Sequence, residues 1–124
     1  MEYIKERLDL VNNPTYVYYK LYVDGKCQFD EFYNEVIRDV KKSKDMAAII
    51  NLMDNLGAMM LPATKFNHIQ DSQRCDLFEF KKNSLRVYVI SRKPEIYVVM
   101  GGDKKDQKQD IAKFKKKVKD FPKE

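Results

Sequence analysis

DLFEFKKNSLRVYVISRKPEIYVVMGG, residues Asp76 to Gly102, alternates apolar and polar positions around two short interruptions. The alternation predicts three strands, DLFEFKK, SLRVYVI and EIYVVMG, joined by turns at Asn83-Ser84 and Ser91-Arg92-Lys93-Pro94. A two-residue Asn83-Ser84 turn sets Phe80 opposite Val87 and Phe78 opposite Val89. A four-residue Ser91–Pro94 turn sets Val89 opposite Ile96, Val87 opposite Val98 and Leu85 opposite Met100. Both turns put apolar residues on one face, so the predicted structure is a consecutive antiparallel meander. The other face then carries Glu79, Lys81, Arg86, Tyr88 and Tyr97. It reads as an open surface on which arginine and tyrosine sit ready for phosphate contact and base stacking.

Upstream, TYVYYKLYVDG reads as a first strand closed by Asp24-Gly25, with Val17, Tyr19, Leu21 and Val23 on one face. Phe29, Phe32, Tyr33, Val36, Ile37 and Val40 follow at helical spacing, and the Lys-Lys-Ser-Lys run after them is expected to end that helix. A second helix is expected to start near Asp45, with Met46, Ile49, Ile50, Met53 and Leu56 as its apolar stripe and Gly57 or Pro62 as its stop. Residues Met1 to Asn13 are highly charged, and Ile4, Leu8 and Val11 permit a short helix there. Downstream, Ile111, Phe114, Val118 and Phe121 mark a last amphipathic helix from about Asp106 to Phe121. The whole is expected to be α+β, with two helices against one face of a four-stranded sheet and the last helix at its edge or end.

The chain has 124 residues, 44% of them apolar and 35% charged, which suits one folded domain over residues 1–124. The net charge is +5 and unevenly placed. From Asp103 onward there are nine lysines against four aspartates and one glutamate, so an anionic partner, nucleic acid before membrane, is expected. Cys27 and Cys75 lie far apart, and no segment has the unbroken apolar run of a leader or a membrane helix; the expectation is a cytoplasmic protein with free thiols. With His68 the only histidine, and no carboxylates at ligand spacing, no metal and no cofactor is expected.

The segment CDLFEFKKNSLRVYVISRKPEIYVVMGGDKKDQKQDIAKFKKKVKDF, from Cys75 to Phe121, resembles the RelE/HigB branch of the RelE/ParE toxin superfamily. The resemblance rests on Leu77-Phe78-Glu79, Arg86-Val87-Tyr88, the apolar run Val98–Gly102, the Lys104-Lys105 pair, Gln107-Lys108 and the helix from Ile111. It implies a RelE-like α+β fold: a strand, two helices, a three-stranded antiparallel meander and a basic C-terminal helix. It also implies the toxin of a type II toxin–antitoxin pair, neutralised by a small cognate antitoxin. Such toxins cut mRNA in the ribosomal A site without metal, the 2′-hydroxyl attacking the adjacent phosphorus. Basic side chains can stabilise the charge that develops.

Carried onto this chain, the resemblance makes Arg86 a phosphate clamp. It places Lys65 and His68, in the loop before the meander, as basic and proton-transfer groups. Lys104 and Lys105 would position phosphates, with Arg74 and Lys81 as further cations and Tyr88 or Tyr97 stacking a base. Two departures stand out. Met100 occupies the place where HigB-like members often carry His, and no tyrosine follows Tyr97, where RelE-like members use one near the C-terminus. The alternative is a non-catalytic module of the same fold that binds RNA or inhibits a protein target such as gyrase.

Overall fold

A computed structural model describes residues 1–123. Its elements are β1 (Tyr3–Arg7), β2 (Val17–Val23), α1 (Gln28–Val36), α2 (Val40–Asn55), β3 (Phe66–His68), β4 (Leu77–Lys82), β5 (Leu85–Arg92), β6 (Glu95–Asp103), a 3₁₀ turn (Lys104–Asp106) and α3 (Gln107–Val118). The fold is α+β. All the strands form one mixed sheet in the order β1-β2-β6-β5-β4-β3. Among the described strands only the β2–β6 contact is parallel, with Val17 opposite Glu95 and Lys20 opposite Val98.

The first hairpin of the meander has the expected register: Lys82 faces Leu85, Phe80 faces Val87 and Phe78 faces Val89. Asn83 takes φ 51°, the left-handed conformation that asparagine tolerates in a tight turn. The second turn differs. Ser91 and Arg92 stay in the strand, the turn shrinks to Lys93-Pro94, and Val89 faces Val98 in place of Ile96. Asp76 explains the extension, since its carbonyl accepts from Ser91 N at 2.8 Å and its carboxylate from Arg92 Nε at 3.2 Å. The two-residue slip itself keeps side chains on their expected faces. A bulge then intervenes, so that Tyr88 faces Met100 and Val87 faces Gly101, not Val98, while Leu85 faces Asp103, not Met100. Past the bulge Met100 turns from the Leu85 face to the α3 face.

The sheet has six strands, not four, because two edges were hidden in sequence. The permitted helix at residues 1–13 is the strand β1, antiparallel to β2 from Tyr3 opposite Val23 to Arg7 opposite Tyr19. Its charges lie along an exposed edge, where they discourage further strand pairing. The expected loop at Lys65 and His68 contains β3 on the other edge, antiparallel to β4. The second helix also begins earlier than Asp45. Asp39 accepts from Lys42 N at 3.0 Å and caps α2, so the Lys41–Lys44 run forms its first turn. Asp45 is buried and accepts from Asn83 Nδ2 at 2.8 Å, tying α2 to the β4–β5 turn. Asp39→Ala is expected to cost about 1 kcal/mol, read as a melting point lowered by a few degrees.

Both faces of the sheet are covered, which explains the nearly continuous apolar run of β5 and β6. Phe29, Val36, Met46, Ile49 and Met53 of α1 and α2 pack on Phe80, Val87, Val89, Ile96 and Val98. On the opposite side Phe114 and Val118 of α3 pack on Leu77, Tyr88, Ile90, Val99 and Met100. The last helix therefore lies across the face expected to be open, not at an edge or end. Its two buried apolar positions are covered fully only by a sheet surface.

Candidate nucleic-acid interface

Backbone hydrogen bonds gather one set of cations at a single end of the sheet. Lys81 N donates to Lys65 O at 2.8 Å, and Lys104 N donates to Ser84 O at 2.6 Å. The start of β3, the end of β4, the β4–β5 turn and the exit of β6 thus meet. Lys104 and Lys105 are exposed there, and Lys65, Lys81 and Lys82 are half-buried. Among the described residues none of these five lysines forms an ion pair. Asp103 fixes the backbone of the turn, accepting from Lys105 N at 3.1 Å.

Arg86 lies beneath this end and is only 7% exposed. Its Nη1 donates to Asn83 O at 2.7 Å and Leu85 O at 2.9 Å, and its Nε has no partner. The guanidinium therefore holds the turn whose Ser84 carbonyl receives Lys104. It does not stand on an open face. Glu79, 2% exposed, makes no ion pair with Arg86; its carboxylate accepts from Gln107 Nε2 at 2.7 Å and Asn67 Nδ2 at 3.1 Å. The first turn of α3 is thereby clamped onto β4.

The remaining candidates lie elsewhere. His68, exposed, sits three positions along β3 from Lys65, about 10 Å at strand rise. Its Nε2–H donates to Cys75 O at 3.0 Å. Arg74 is at the far end of α3, where its Nε and Nη2 donate to Asp76 at 2.8 and 3.0 Å and its Nη1 to the carbonyls of Val118 and Phe121 at 2.6 and 3.2 Å. Tyr88 is fully buried against Phe114, with ring centroids 5.5 Å apart and a hydroxyl without a partner. Burial drives its phenol well above the ordinary range, helped by Glu79 and Asp110. Tyr97 stacks on Tyr19 and donates to Glu95 Oε1 at 2.6 Å, and burial with that carboxylate raises it to about 12. Neither tyrosine offers a free ring for base stacking, because α3 and Phe121 occupy that space.

The structure thus unites Lys65, Lys81, Lys104 and Lys105 over Arg86 and separates them from His68, Arg74 and Tyr97. Sequence reasoning passed over Asp110, which shares the buried stripe of α3 with Phe114 and Val118. A carboxylate at that spacing was the available signal. Among the described residues no helix is long and apolar enough to cross a membrane. Searches of family models, curated proteins and solved structures find no match to this chain.

Proposed function

We propose that the chain is a RelE/HigB-like toxin that engages mRNA on the ribosome and cleaves it by metal-independent attack of the 2′-hydroxyl, a small antitoxin being its cognate inhibitor. The observation that carries the reading is the cluster of unpaired lysines where β4, β6 and α3 meet. Lysine ammonium groups act on phosphate as point charges, and four or five of them along one sheet end follow a backbone without reading bases. In the cleavage step the same charges stabilise the phosphorane, and Arg86 keeps the turn beneath Lys104 in place. The order β2, α1, α2, the β4–β6 meander and the basic α3, with β1 and β3 added as edge strands, supports the RelE-like assignment.

The burial of Arg86 and Tyr88 favours a second reading, in which the protein binds RNA without cutting it. One titration addresses the binding that both share. Affinity for RNA should fall steeply with salt as condensed counterions are released. Replacing Lys104 and Lys105 by alanine should weaken binding and lower the salt slope by about two. Unchanged affinity in the double variant would remove this segment from the interface. Induction of the wild-type protein, followed by mapping of mRNA 5′ ends, separates cleavage from binding alone.

A further inference from the structure

We propose that the cleft between α1 and the start of α3 receives an arginine side chain from a partner protein. The cleft has a volume of about 430 Å³, within the range of ligand pockets. Phe32, Val36 and Leu85 give it an apolar wall, and Glu35, Asp39, Asp103, Asp106 and Asp110 give it an acidic one. Among the described residues Lys42 and Lys105 are the only basic ones lining it. In a chain with net charge +5 this is a local excess of negative charge, and it excludes an anionic occupant.

Asp110 is the decisive group. It is 9% exposed, and among the described residues it makes neither a hydrogen bond nor an ion pair. Its carboxylate presses onto Gly102 so closely that a Cβ at that position would collide with Oδ2. Asp39 and Asp103 spend one oxygen each on backbone N–H groups, whereas Asp110 has no such partner. Burial raises the Asp110 carboxyl, Lys113 opposes the rise, and Asp106 and Asp103 add to it. A carboxylate that lines the cleft, is not sealed from solvent and has no protein donor can take charge-assisted hydrogen bonds from a cation that enters.

The shape selects the cation. Among the described residues no three His, Cys, Asp or Glu side chains are grouped to hold a metal ion. A guanidinium can donate to the carboxylate as a planar fork and lay its face on the Phe32 ring, while its stem covers Val36 and Leu85. A protein source is favoured by the rim. Ile37 and Val40, chain neighbours of the lining residues Val36 and Asp39, are 47% and 76% exposed, so exposed apolar side chains lie one residue away along the chain from the cleft lining. A segment carrying arginine between apolar residues complements both. Only Lys105 is shared with the lysine cluster, so this site stands or falls apart from RNA binding.

The test uses the full chain, isotopically labelled, titrated with the peptide acetyl-Leu-Arg-Leu-amide and followed by backbone amide NMR. Saturable shifts centred on Gly101, Gly102 and Asp110 are expected. The same peptide with citrulline for arginine should bind at least tenfold more weakly, and Asp110→Asn should weaken the arginine peptide by roughly tenfold or more, the scale of one charge-assisted pair. Glu35→Gln should weaken it less and provides a second variant on the exposed wall. Glu31→Gln, outside the cleft and paired with Lys26 at 3.5 Å, should change nothing. Equal binding of the citrulline peptide, unchanged affinity in both cleft variants, or shifts that never saturate would overturn the proposal. Preferential capture of spermidine over the peptide would overturn the protein source.

Discussion

Arg74→Ala is expected to destabilise the fold by about 3 kcal/mol, at the lower end of the range for breaking a buried ion pair. Its side chain is 5% exposed and donates from Nε and Nη2 to the two oxygens of Asp76, while its Nη1 donates to the carbonyls of Val118, the last residue of α3, and Phe121. The loss should stay at the lower end because Arg92 remains beside Asp76 at 3.2 Å. Burial alone pushes the Asp76 carboxyl up, but the two guanidiniums outweigh it and hold the group below its usual value. A depressed carboxyl contributes stability above its unfolded pKa, near 3.9, and loses it as pH falls through the lower folded value. Without Arg74 the folded value rises, so acid unfolding should begin at higher pH. Urea melts from pH 2 to pH 7 measure both effects. A loss below about 1 kcal/mol, with an unmoved acid limb, would show that this latch does not hold α3.

On the proposed function, Arg86→Ala is expected to reduce mRNA cleavage on translating ribosomes by up to roughly a hundredfold, the ceiling set by losing one transition-state donor outright, because the turn that positions Lys104 loses its tether. A side chain on an open face would have been removable without cost to the fold, but burial changes that. Two backbone carbonyls lose their donor, at about 1–3 kcal/mol. Cleavage must therefore be compared at temperatures where both proteins are fully folded. If Arg86 acts through the turn on Lys104, Arg86→Lys should fail to restore cutting, yet the salt slope of RNA binding should stay as in wild type. Equal cleavage by Arg86→Ala would reduce the residue to a structural role. Absence of cutting by wild type would favour RNA binding alone.

The meander was legible because two-residue periodicity and a short turn constrain each other. Asn83-Ser84 gave the right pairing of Phe80 with Val87. The second turn was less legible because its length depends on Asp76, distant in sequence from Ser91 and Arg92. Local pattern could not reveal β1 either, since a solvated edge strand needs no apolar stripe and takes its hydrogen bonds from β2. The lysine pair at 104–105 was visible as charge, but its meeting with Lys65 and Lys81 required the sheet. The largest misreading concerned the Arg86 face. Tyr88 and Ile90 alternate with Val87 and Val89, and only the packing of Phe114 and Val118 distinguishes a second buried layer from a wet one.

The parallel β2–β6 contact has a consequence for how the chain acquires its structure. Val17 meets Glu95, so an early strand waits through two helices and most of the meander for its central neighbour. Closing that separation costs chain entropy before the contact repays it, which slows folding relative to local hairpins. During synthesis β1 and β2 can form only a two-stranded ribbon, marginal by itself, until β6 has been made. The nascent chain then exposes Tyr18, Leu21 and Val23, which the finished protein buries. Premature termination before Glu95 should therefore leave aggregation-prone fragments and no smaller functional unit.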